Sequence, residues 1–359
     1  MQTISVPLQN RSYPIWIEKG LLTNLPELLK PMNQGQKWVI FSQNEIISLY
    51  GNSLCKGLKS AGFQVELVVL PNGEKAKSLN ELEGIFSQLI GMDCDRSSTF
   101  LALGGGVVGD ATGFIAASFM RGVDYIQIPT TLLAMVDSSI GGKTGVNLPD
   151  GKNLVGAIWQ PKAVVIDIEL LKSLQEREIT SAMGEVLKYG AILDRNLFEV
   201  VAENLNDILN LSKPELLTEV IGRCAKLKAD VVVEDEREGG KRRILNFGHT
   251  IGHALETHFG FETLRHGEAV AYGMLAAGKL SNEDGRLEIE DFELLQTTIK
   301  KLPLPKLPEF DAENILKIMQ RDKKVKDRKI NFVLLEAIGK TVIVDSIEKE
   351  SIIKAMESL

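Results

Sequence analysis

Five short apolar runs, at 37–41, 64–70, 99–103, 125–128 and 164–167, constrain the first half of this 359-residue chain more than any other feature. They are rich in β-branched and aromatic residues and stop at turn signals such as Pro71-Asn72-Gly73 and Pro129, which reads as strand. Between them, 44–61 and 78–91 carry helical spacing, the second through Leu79, Leu82, Ile85, Phe86 and Leu89. Strands without a polar face need cover on both sides, so the alternation predicts a mostly parallel sheet between helical layers. Near residue 175 the period changes. Amphipathic stretches at 178–193, 196–210, 213–231, 248–259, 267–283, 289–302 and 311–321 predict a mainly helical second half. A hairpin (332–335 with 341–344) and a terminal helix close it. The expected organisation is α/β, with the parallel sheet in a domain at 1–177 and the helices in a domain at 178–359.

Charge narrows what such a chain binds. Lys and Arg number 41 against 48 Asp and Glu, a formal net charge of −7, and charged residues make up 25%. That composition excludes a disordered chain and argues against a nucleic-acid binder, which needs a basic excess. Every apolar run is broken well before about 18 residues, so no membrane span is expected. The opening residues lack a basic region and an apolar core, so no signal peptide is expected. Cys55, Cys94 and Cys224 are widely spaced and suit reduced thiols of a cytosolic protein better than a disulfide framework.

The 99–103 run leads into Gly104-Gly105-Gly106-Val107-Val108-Gly109-Asp110 and then a helix of small residues. Glycines at a strand-to-helix turn let backbone N–H groups approach a pyrophosphate, and the helix N-terminus adds positive potential. The spacing is not G-x-G-x-x-G, so a purely structural tight turn competes with the dinucleotide reading. Asp110 either accepts from a ribose or nicotinamide group or caps the helix. Residues 137–145 and 150–153 are long, polar and glycine-laden, and are expected as functional loops. Gly142-Lys143-Thr144 resembles a phosphate-loop ending, but Asp137 stands where the first glycine belongs, which rejects a Walker A motif. Lys143 and Lys152 read instead as cations facing an anionic ligand. Arg121 is a surface arginine or a third cation at a phosphate.

All four histidines, His249, His253, His258 and His266, fall in one stretch. His249 and His253 share a helical face, with Glu256 almost above His249, whereas His258 points away and reads as structural or exposed. The pattern is not H-E-x-x-H, so metalloprotease chemistry is not indicated. A buried hydrogen-bonded pair would explain His249 and His253 alone. With His266 nearby, a divalent site is favoured, needing two or three imidazole or carboxylate ligands and an open position. Its carboxylate is Glu185, which shares an apolar helical face with Lys188, or else Glu256.

Taken together, LALGGGVVGD, QIPTTLLAMVDSSIGGKTGVN, GKNLVGA, QPKAVVID, GEVLKYGAI and RILNFGHTIGHALE with HGEAVAYGM resemble the 3-dehydroquinate synthase family of sugar phosphate cyclases, along nearly the whole chain. The resemblance implies a Rossmann-like NAD-binding domain, a helical metal-binding domain and an active site in the cleft between them. It gives one divalent metal, zinc or cobalt, to Glu185, His249 and His266, and a substrate-side role to His253. NAD is given to Asn72, Gly73, Glu74, Lys77, Gly105, Gly106, Val107, Val108, Gly109, Asp110, Thr130 and Thr131. Lys143 and Lys152 reach both cofactor and substrate. Asp137, Asn153, Lys188, Lys228, Arg242, Asn246 and Lys324 (or its neighbour Lys323) contact the substrate. Arg121 serves a phosphate, a dimer interface being one route by which it would reach it. Asn72, Met135 and Asp327 depart from the family pattern, the last leaving the choice between Lys323 and Lys324 open. Asn246 and Lys152-Asn153 fit the dehydroquinate branch better than the inosose or valiolone branches.

The substrate so implied is 3-deoxy-arabino-heptulosonate 7-phosphate, turned into 3-dehydroquinate and phosphate in the shikimate pathway. The implied course is transient oxidation at C5, β-elimination of phosphate, reduction, ring opening and aldol closure, with NAD regenerated each cycle. A cytoplasmic homodimer without nucleic-acid or membrane partners goes with it. Two rivals stand beside this reading. A metal-dependent polyol dehydrogenase shares the glycine turn and histidines, but a neutral alcohol needs no cations at 141–153. A non-catalytic NAD sensor has no use for the metal set.

Overall fold

The computed structural model describes residues 1–149, 151–260, 263–322, 330–345 and 347–359. Two compact units form, Met1–Leu174 with Pro214–Val233 and Gln175–Lys213 with Glu234–Leu359. The chain leaves the first unit, returns to it for one helix, and leaves again. The sequence reading has a single change at 177/178 and counts 213–231 with the helical half. Helical period does not encode which core a helix joins, and there the two differ.

The first unit carries β1 (Gln2–Val6), β2 (Tyr13–Ile17), β3 (Lys37–Gln43), β4 (Gln64–Leu70), β5 (Thr99–Gly104), β6 (Asp124–Pro129), β7 (Lys143–Leu148), β8 (Gly151–Ile158) and β9 (Ala163–Ile166). Seven of these make one sheet in the order β1-β2-β9-β6-β5-β3-β4. β1 and β2 pair antiparallel, and the remaining neighbours are parallel. Alternate residues of the central strands serve opposite faces. Val39, Phe41, Phe100 and Ala102 share a core with Leu82 and Ile85 of helix Leu79–Gly91 and Ala111 and Ile115 of helix Gly106–Ser118. Trp38, Ile40, Leu101 and Leu103 share another with Leu25 of helix Leu21–Leu29 and Leu58 of helix Asn52–Ser60. Each such large apolar side chain contributes about 1.5–3 kcal/mol on burial. The doubly covered sheet thus follows from the runs that alternate into both cores. The returning helix, Pro214–Glu234, meets the start of β1 at Gly222, where a Cβ would stand 2.6 Å from the Gln2 side chain.

β7 and β8 pair antiparallel as a separate ribbon, Lys143 opposite Ile158 and Leu148 opposite Gly151. Strand thus replaces the loops expected at 143–145 and 151–153. The glycines there serve close approach, because a Cβ on Gly156 would lie 2.2 Å from the Thr144 carbonyl oxygen. Lys143 and Lys152 consequently stand toward opposite ends of the ribbon.

The second unit contains helices Glu176–Leu193, Arg195–Glu203, Leu205–Leu209, His249–Phe259, His266–Glu283, Ile289–Lys300, Ala312–Asp322 and Lys349–Glu357. Its hairpin pairs β10 (Phe332–Ala337) with β11 (Lys340–Val344). Leu255, Ala269, Ala276, Ile315, Leu334 and Met356 lie in one core that binds these elements together. Among the described residues, no helix is long and apolar enough to cross a membrane.

Candidate active site

Glu185 projects from the middle of helix Glu176–Leu193 and is buried, with 1% of its surface exposed. Its Oε1 lies 3.3 Å from His249 Nε2 and 3.4 Å from His266 Nε2. Its Oε2 pairs with Lys188 Nζ, one turn along the same helix and equally buried. Two ligand atoms bound to one tetrahedral ion at about 2.1 Å are separated by roughly 3.4 Å. The three residues therefore fit a divalent cation held by one carboxylate and two imidazoles. The ring of His253 is 5.2 Å from that of His249 and 5.7 Å from that of His266, and nitrogens of all three histidines come within 4.8 Å of one another.

The outer contacts fix which nitrogens face inward. His249 Nδ1 is 3.1 Å from the Phe247 carbonyl oxygen, so the ring donates there and leaves Nε2 as an acceptor. His266 Nδ1 is 3.3 Å from Glu256 Oε2, which does the same for the second imidazole. Glu256, the alternative ligand in the sequence reading, thus meets the outer nitrogen of His266. Replacing it with glutamine is expected to lower affinity for a divalent cation about 10–100-fold. Competition with a chelator measures this, and an unchanged affinity would reduce Glu256 to a packing residue.

Electrostatics agree with a cation here. Burial opposes charge on Glu185, yet Lys188 and His249 hold its carboxyl well below the usual range. Burial also pushes His266 down, but hydrogen bonds and charges from Glu185 and Glu256 overcome this and raise it to about 10. Two carboxylates thus draw positive charge to one point, and a cation supplies it as well as a proton does. Burial and Lys188 lower His249. Surrounding protein and the other imidazoles push His253 down to about 4, although its ring reaches solvent. It is a neutral base at physiological pH.

The helices that carry Glu185 and His266 touch backbone to backbone. A Cβ on Gly267 would sit 1.8 Å from the Ser181 carbonyl oxygen, and one on Gly184 would sit 2.2 Å from that of Gly267. Gly267 N–H donates to Ser181 Oγ (3.1 Å). Buried Glu268 accepts from Arg177 Nε (2.7 Å) and Nη2 (2.8 Å) and from the Arg265 N–H (2.8 Å), pinning the start of helix His266–Glu283. Before His249, the 241–246 turn holds buried Arg242, whose Nη1 donates to the Glu236 carbonyl oxygen (2.7 Å). Asn246 Nδ2 donates to Glu238 Oε1 (3.0 Å). Glu238 lies in the charge cluster 234–243, whose ordinary reading is a solvated loop. Its place at Asn246 shows only in three dimensions.

In the first unit, the glycine turn stands at the C-terminal end of β5, the edge where ligands bind in parallel sheets. Gly105 is extended, and helix Gly106–Ser118 begins directly after it, presenting its free N–H groups. Thr130 N–H donates to the Gly104 carbonyl oxygen (2.9 Å), and a Cβ on Gly105 would press Thr131 at 3.0 Å. Asn72, Gly73, Glu74 and Lys77 form a turn beyond β4, beside a cavity of about 320 Å³ lined by Asn44, Leu70, Asn72, Glu81 and Ile85. Lys77 Nζ donates to Asp110 Oδ2 (2.7 Å) and to Asn153 Oδ1. Burial raises the Asp110 carboxyl, and Lys77 works against that. Asp137 Oδ1 accepts from Lys228 Nζ (2.7 Å), so the returning helix joins two expected substrate residues. Exposed Arg121 sits in a run of left-handed residues, Met120 (φ 48°), Arg121 (φ 66°) and Gly122 (φ 126°). Lys324 and Lys323 lie outside the described residues. Sequence reasoning passed over Asn147, which bonds both Glu74 and Asn153.

A parallel sheet with a phosphate-ready glycine turn, followed by helices that hold a carboxylate and imidazoles at cation spacing, defines a class of enzyme that pairs a dinucleotide with a divalent metal. Residues 67–181 match the family model for the 3-dehydroquinate synthase N-terminal region, and residues 182–325 match that for the C-terminal region. The chain belongs to the 3-dehydroquinate synthase family. It is 46% identical to the 3-dehydroquinate synthase of Rippkaea orientalis (strain PCC 8801 / RF-1), over 98% of this chain and 97% of that protein. It is 45% identical to that of Prochlorococcus marinus (strain AS9601), over 98% of each. Among solved structures, it is similar to 2-deoxy-scyllo-inosose synthase complexed with carbaglucose-6-phosphate, NAD+ and Co2+, with a TM-score of 0.90 and 26% identity over 99% of this chain and 100% of that one. It is also similar to 2-epi-5-epi-valiolone synthase from Streptomyces hygroscopicus subsp. jinggangensis 5008 with NAD+ and Zn2+ bound (TM-score 0.87, 26% identity, 96% of each chain).

Proposed function

We propose that this chain converts 3-deoxy-arabino-heptulosonate 7-phosphate to 3-dehydroquinate and phosphate, as a carbon–oxygen lyase using NAD and one divalent metal. The observation that carries the reading is the set Glu185, His249 and His266 at cation spacing, in one chain with the glycine turn and the lysine-rich positions of the first unit. When bound, NAD supplies a reversible hydride acceptor, and the cation supplies polarisation of the substrate hydroxyl that is oxidised.

The chain's own residues then have distinct tasks. Gly105 to Asp110, Thr130, Thr131 and the 72–77 turn hold the dinucleotide. Lys143, Lys152, Arg242 and Arg121 neutralise the carboxylate and phosphate of the substrate, which suits a locally basic site on an acidic protein. Asp137 keeps Lys228 in place, and Glu185 does the same for Lys188. Asn153 and Asn246 orient hydroxyl groups. His253, neutral at physiological pH, accepts a proton on the substrate side. A cytoplasmic homodimer is part of the same reading.

The test supplies the heptulosonate phosphate with catalytic NAD+ and Zn2+ or Co2+ and follows inorganic phosphate. Phosphate release far beyond the NAD+ present is expected. Stoichiometric NADH without phosphate would instead establish a polyol dehydrogenase.

A further inference from the structure

Asn147 joins two groups of residues that the proposed function assigns to different ligands. Its Nδ2 donates to Glu74 Oε2 (2.7 Å), and its Oδ1 accepts from the Asn153 N–H (3.0 Å). Asn153 stands in the left-handed region, φ 56°, and its side-chain oxygen accepts from Lys77 Nζ. Lys77 and Glu74 share one short turn, Gly73–Lys77, so the bonds close into a ring through the backbone of that turn. A backbone bridge between Asn147 and Ser78 lies beside it. Of the side chains in this ring, Asn147 alone has been given no ligand.

The chemistry of the ring requires an amide at this position. One end must donate to a carboxylate while the other accepts from a backbone N–H, which an aspartate does not do. The N–H bond also helps to hold Asn153 in a conformation that residues with a Cβ adopt at a cost. We propose that Asn147 is a positioning residue that couples the cofactor turn to the substrate ribbon. Occupancy that fixes Glu74 and Lys77 then also fixes Asn153 in its working conformation, and the coupling runs equally in the other direction. The inference rests on the assignment of Glu74 and Lys77 to NAD and of Asn153 to the sugar phosphate.

Titrating the wild type, Asn147→Asp, Glu74→Gln and the double variant with NAD+ by calorimetry, then assaying heptulosonate phosphate turnover, tests it. Asn147→Asp sets two carboxylates against each other. The Kd for NAD+ and the KM for the sugar phosphate are expected to rise together, each about five- to tenfold, with a smaller fall in kcat. Glu74→Gln combined with Asn147→Asp reverses donor and acceptor, so the double variant should bind NAD+ more tightly than the product of the single effects allows. Additive effects, or a change in melting temperature with Kd and KM unmoved, would overturn the coupling while leaving the proposed function intact. A wild type that binds no NAD+ would overturn both.

Discussion

Glu185→Gln is expected to lose its stoichiometric metal on gel filtration and to turn over about 10³-fold more slowly or worse. The substitution keeps shape but removes the one anionic ligand, and Lewis-acid polarisation of several kcal/mol converts to that factor. A second consequence separates this variant from an ordinary active-site change. Lys188 sits at 2% exposure beside the carboxylate, and removing one partner of a buried ion pair costs about 3–5 kcal/mol. The metal-free variant should therefore melt well below the metal-free wild type. Glu185→Asp separates the two effects, since its shorter arm retains charge near Lys188 but withdraws the oxygen from His249 and His266. Full metal content together with full turnover in Glu185→Gln would remove Glu185 from the ligand set.

Gly273→Ala is expected to be among the most damaging single methyl groups in the second unit. A Cβ there would lie 1.9 Å from the Gly248 carbonyl oxygen and 2.9 Å from the Gly252 nitrogen, both backbone atoms that cannot rotate aside. Helix His266–Glu283 would have to move off helix His249–Phe259, and with it the spacing of His249 and His266. Overpacking of this kind costs about 3 kcal/mol or more, roughly a 10 °C drop in melting temperature for a unit of this size. Weakened metal retention should accompany it. Gly84→Ala is the control. It lies exposed within helix Leu79–Gly91 with nothing inside 4 Å of the added carbon, and should gain about 0.5–1 kcal/mol. A Gly273→Ala protein that melts with the wild type would refute the backbone contact.

The parts of this molecule legible in its sequence are those in which burial forces a pattern. β3, β5 and β9 are apolar on both faces because both faces are covered, so their runs stand out. β7 and β8 do not stand out. Their glycines and lysines have low strand propensity, and the outward strand is largely exposed, so only pairing reveals them. β1 and β2 are equally quiet, being five residues each with Pro14 inside the second.

The same division runs through the site. The four-residue interval between His249 and His253 is a property of one helix and can be read directly. The choice between Glu185 and Glu256 depends on distances across helices, which spacing does not carry. Both carboxylates meet the histidines, one at the inner nitrogens and one at the outer. The bond between Asn246 and Glu238 was hidden for a different reason, because a dense charge cluster looks the same whether it is solvated or engaged.

The returning helix has a bearing on synthesis. A ribosome that has released residue 174 has delivered the sheet but not the returning helix or the lysine that pairs with Asp137. Those arrive roughly sixty residues later, a delay of about 3–12 s at ordinary elongation rates. Through that interval the nascent first unit lacks its last helix and the Lys228 contact to Asp137, and much of what emerges belongs to the other unit. The gene therefore cannot be cut once to give two self-sufficient halves.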